Sequence, residues 1–91
     1  MTKLRIGAIT YTVTESVMQD CGCIDYEKQT IEIRKGLAID ARNVTLWHEI
    51  LHGILYNMGH INHDETIVDG LAHGIVQALN DNPQLRGKRN G

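Results

Sequence analysis

Two of the five histidines in this chain bracket a glutamate, in the order His48-Glu49-Ile50-Leu51-His52. On a helix, residues four apart differ by about 40° around the axis. Both imidazoles therefore leave from one face and can share a single cation. Glu49 lies about 60° from His52 on the same wheel, beside the open side of such an ion. A carboxylate there can take a proton from a water that zinc makes acidic, with a pKa near 7. The spacing points to zinc-assisted hydrolysis with Glu49 as the general base.

A catalytic zinc site usually has three protein ligands and one open position, so a third must come from elsewhere. Glu65 and Asp69 are four residues apart at the start of a second helical pattern. One carboxylate can complete the metal set. The other can hold the far nitrogen of a ligand histidine and so fix its tautomer and orientation. His73, one turn beyond Asp69, is the rival, either as an alternative ligand or as a donor to a reaction oxyanion. His60 and His63 read as exposed linker histidines. The extended spacing H-E-x-x-H-x-x-G-x-x-H is absent, because Leu55 and Met58 stand at its Gly and third His positions.

These side chains need elements to carry them. Val44, Trp47, Ile50, Leu51, Ile54, Leu55 and Met58 recur at helical spacing. Asp40 is the expected N-cap of that helix and Gly59 the residue just past its end. After the linker His60-Ile61-Asn62-His63, Asn62 or Asp64 can cap a second helix with the stripe Ile67, Val68, Leu71, Ile75 and Leu79, ending at Asn82-Pro83. So short a link makes the helices near neighbours. Upstream, Leu4 to Val13 reads as one strand with a bulge at Gly7, followed by a polar irregular stretch from Thr14 to Gly22. Cys23–Tyr26 and Thr30–Arg34 read as paired strands, the second alternating with Ile31 and Ile33 on one face. The expected fold class is α+β, with a small antiparallel or mixed sheet packed on two helices. Residues 1–83 form the domain and 84–91 a flexible tail.

Composition narrows the partners. Ninety-one residues without phenylalanine build one small aliphatic core. Such a chain buries only about 60 to 65 % of its unfolded surface, so a metal staple would help it. A net charge of −2 offers no positive field for a nucleic-acid backbone. No apolar run is long enough for a membrane span, and no secretion segment opens the chain; the expectation is a cytoplasmic protein. Cys21 and Cys23, separated by Gly22 alone, close too small a ring for an ordinary disulfide and read as reduced thiols.

The motif at 48–52, followed by Glu65-Thr66-Ile67-Val68-Asp69, resembles the gluzincin pattern H-E-x-x-H … E-x-x-x-D. With Ile24-Asp25-Tyr26, Gln29-Thr30-Ile31, Leu71-Ala72-His73 and Asn82-Pro83 in order around it, the chain is similar to compact phage and prophage metallopeptidase-like proteins related to the ImmA/IrrE group. The resemblance spans about residues 24–83. It implies a minimal zincin-like fold, with zinc held by His48, His52 and Glu65, Glu49 as base, Asp69 behind the ligands, and His73 or Tyr56 as the candidate donor to the reaction oxyanion. It also implies a peptide or protein substrate, such as a repressor-type regulator. An extended peptide would add to a free strand edge, with Thr30–Arg34 the expected one. The other reading is a non-catalytic module in which zinc supports a marginal core.

Overall fold

The apolar residues near the N-terminus change parity between Ile6 and Ile9, and that change marks a hairpin. The computed structural model, which describes residues 2–87, has two antiparallel strands here, β1 (Thr2–Ile6) and β2 (Ile9–Ser16), in place of one bulged strand. Leu4 pairs with Tyr11 and Ile6 with Ile9. Cross-strand partners share a face, so a two-residue turn reverses the parity while keeping the apolar side chains together. Gly7 opens that turn at φ +60°, a conformation that favours glycine at the first position of a two-residue hairpin loop. Strand β2 also continues through Thr14–Ser16, where the sequence reads as irregular; these residues pair with Glu32, Ile33 and Arg34.

The remaining strands are β3 (Gly22–Asp25) and β4 (Thr30–Arg34). The sheet order is β1-β2-β4-β3, with β2 and β4 parallel and the other two pairs antiparallel. Thr30–Arg34 is therefore an interior strand, not the expected free edge. Ile31 and Ile33 are wholly buried there. The free edge nearest the helices belongs to β3. A turn stabilised by the Asp25 carboxylate, which accepts from the backbone N–H groups of Glu27 and Lys28, joins β3 to β4.

Helix α1 (Ile39–Asn57) begins one residue before Asp40. Ala38 is its N-cap and makes no side-chain cap bond. Asp40 instead lies in the first turn, where its charge complements the helix dipole. The other end follows the sequence: Gly59 takes φ +89°, its N–H donates to the Tyr56 carbonyl, and the His60 N–H donates to Leu55, the Schellman pattern. Leu46 and Ile50 pack on the sheet core formed by Ile6, Tyr11, Val13, Ile31 and Ile33. Gly53 lets the helix approach, since a Cβ there would stand 2.7 Å from Ile6 Cδ1.

Helix α2 (Glu65–Asp81) is capped by Asp64, whose Oδ1 accepts from the N–H groups of Thr66 and Ile67. Its buried row is Val68, Ala72 and Val76, which keeps only Val68 of the expected stripe: Ile67 and Leu71 are exposed, and Ile75 and Leu79 half-buried. A row of small side chains four apart allows closer packing on α1 than Ile and Leu would. It also turns the adjoining row, Glu65 and Asp69, towards His48. Pro83–Arg86 form a 3-10 turn against α2, which takes in the first residues of the expected tail. Its remainder, 88–91, lies outside the described residues. The architecture is α+β, a mixed four-stranded sheet with two helices.

Candidate metal centre

Helix α1 carries His48, Glu49 and His52 on one turn, and the first turn of α2 brings Glu65 against them. His52 Nε2 lies 2.8 Å from Glu65 Oε1 and 3.1 Å from His48 Nε2. His48 Nε2 lies 3.3 Å from Glu65 Oε2. Two atoms each about 2.1 Å from a common tetrahedral centre are separated by about 3.4 Å, so the three donors already stand close to the spacing that one ion requires. The His48-His52-Glu65 group could hold a metal ion.

The surroundings of the donors fit the same conclusion. Asp69 Oδ1 lies 3.4 Å from His48 Nδ1, behind the ligand face. His52 Nδ1 lies 2.7 Å from Nδ1 of His63. Burial lowers the His52 pKa against the pull of Glu65 in the other direction, which favours the neutral imidazole that ligates metals. A neutral ring with its hydrogen on Nδ1 points an Nε2 lone pair at a carboxylate oxygen and at a second imidazole nitrogen. Such a meeting of acceptors is relieved by a cation between them.

Glu49 is the one charged residue that is buried among the described residues. Burial pushes its pKa up to about 7; His48 opposes that shift and Glu65 adds to it. Its carboxylate still opens onto solvent through two clefts that meet at His48 and Glu49. One, of about 420 Å³, runs between the ligands and the free edge of β3 at Gly22, Cys23 and Ile24. The other, of about 360 Å³, is walled by Ala41, Val44 and Thr45, with Asp69 and His73 at its rim.

His48, His52, Glu49 and Glu65 thus converge, with Asp69 touching His48 from behind. His73 stands outside the three-donor group. It is largely exposed, and its Nε2 is 3.8 Å from the far oxygen of Asp69. Tyr56 stacks on Tyr26 with ring centres 3.9 Å apart; Tyr26, not Tyr56, lines the larger cleft. Burial raises the Tyr26 pKa, so its phenol keeps its proton as a hydrogen-bond donor. His63 is the residue sequence reasoning missed. It reads as a solvated linker histidine, and only its position two residues before Glu65 hints at the site. Cys21 and Cys23 are free thiols. No helix among the described residues is long and apolar enough to cross a membrane. No protein-family model matches the chain, and no curated protein or solved structure matches it.

Proposed function

We propose that this chain is a zinc-dependent metallopeptidase of the gluzincin type, related to the ImmA/IrrE group and acting in the cytoplasm. The observation that carries this reading is the convergence of three ligating side chains on a buried carboxylate: His48, His52 and Glu65 beside Glu49. Zinc bound by that set would polarise a carbonyl oxygen and lower the pKa of water towards about 7.

The chain's own residues do the rest. Glu49, raised to about 7, is a better proton acceptor near neutrality than an exposed glutamate. It takes the proton of the attacking water and hands it to the departing amine nitrogen. Asp69 holds His48 by Nδ1, so that Nε2 would face a bound ion. The unpaired edge of β3 borders the cleft and offers main-chain hydrogen bonds to an extended peptide. The phenol of Tyr26 offers a donor from the same wall. The substrate on this reading is a protein segment presented as a strand, a repressor-type regulator being the one that the resemblance implies.

The test is a zinc-loaded digest of a random peptide library, read by mass spectrometry, with wild type and Glu49→Gln in parallel. Cleavage by wild type alone, with equal zinc content in both, supports the reading. Equal cleavage by both removes Glu49 from it. A second reading, a zinc-stapled module without catalysis, is favoured by the small set of buried apolar side chains, eight among the described residues. Unfolding on chelation with no peptide cut would support that module instead.

A further inference from the structure

His63 makes two contacts that together dictate where its hydrogen lies. Its Nε2 is 2.6 Å from the carbonyl oxygen of His60. A carbonyl only accepts, so Nε2 carries the hydrogen and donates it. In a neutral imidazole the other nitrogen is then an acceptor. That nitrogen, Nδ1, faces Nδ1 of His52 at 2.7 Å. With Nε2 of His52 given to the ion, two bare acceptors would not rest at that distance, so the hydrogen between the rings belongs to His52. The ring centres are 4.9 Å apart with planes 20° from parallel, much farther apart than the two nitrogens. The rings therefore meet by their nitrogen edges, with the hydrogen bond running along the lone-pair direction.

We infer that His63 is a positioning residue for the metal centre: through it the His60 carbonyl fixes His52 as the Nδ1–H tautomer, leaving Nε2 to ligate. This rests on the metal reading above. The two ligand histidines are then held differently. His48 leans on a carboxylate, Asp69, and His52 on the ring nitrogen of His63. The contact also ties the linker to α1 two residues before Glu65, so it helps to deliver the third ligand.

Removing a group that orients a ligand histidine typically costs about 10- to 100-fold in metal affinity. Zinc affinity, measured by competition with a chromophoric chelator, is expected to fall by about that factor in His63→Ala. Recovery is expected in His63→Asn, whose amide oxygen can stand where Nδ1 stood. Long-range proton–nitrogen spectra of zinc-loaded wild type should show hydrogens on His52 Nδ1 and His63 Nε2, with scalar coupling across the Nδ1–H···Nδ1 bond. A hydrogen on His63 Nδ1 would overturn the inference. So would an unchanged affinity in His63→Ala while His48→Ala loses zinc, a result that leaves the metal reading intact. A wild type that binds no zinc overturns the metal reading instead.

Discussion

Replacing Glu49 by Gln keeps the shape of a buried side chain and removes its charge. In the zinc-free protein burial disfavours the anion and pushes the carboxyl pKa up to about 7, against 4.5 for an ordinary glutamate. The folded state thus holds this proton more tightly than the unfolded chain. Its stabilising effect is complete below pH 4.5 and is lost as pH rises through 7. A difference of this size corresponds to about 3 kcal/mol at about 1.4 kcal/mol per pKa unit, an upper bound because the carboxylate opens onto two clefts. Gln does not titrate, so the variant is expected to escape the loss. The assay is urea unfolding in chelator at pH 5, 6, 7 and 8, comparing midpoints at constant m-value. Other groups titrate alike in both proteins, so the difference isolates Glu49. The stability of Glu49→Gln relative to wild type should climb by about 1–3 kcal/mol from pH 5 to pH 8, and added zinc should shrink the climb by favouring the anion. A pH-independent difference would refute the buried-carboxylate reasoning.

Two further substitutions test how the helices position the site. Ala72 is wholly buried on the seam between α1 and α2, so Ala72→Leu should overpack it by about 1–3 kcal/mol and move Glu65 away from the histidines; thermal unfolding and zinc affinity should fall together. Asp64→Ala removes the cap of α2 and should cost about 0.5–2 kcal/mol, measured by urea unfolding, with weaker zinc binding because Glu65 lies in the turn that the cap orders.

The features readable from sequence are those written in local spacing. The H-E-x-x-H turn places two imidazoles on one side of any helix, and Gly59 ends that helix because the Schellman geometry needs positive φ. The alternation at Thr30–Arg34 announces a strand whose Ile31 and Ile33 are buried. What that alternation does not contain is the strand's neighbours: an edge and an interior strand with one buried face look alike, and only the return of β4 between β2 and β3 decides. The face of α2 is hidden for a related reason. Ile67 and Leu71 outrank Ala72 in hydrophobicity, yet close helix packing selects the small row. His63 depends on the path of a four-residue linker, for which the residue types give no angle.

The most direct measurement is diffraction from a zinc-loaded crystal with data on both sides of the zinc absorption edge. The expected result is one anomalous peak, about 2.0–2.2 Å from Nε2 of His48, Nε2 of His52 and a carboxylate oxygen of Glu65. A peak ligated by His73 in place of Glu65, or no peak between α1 and α2, would contradict it.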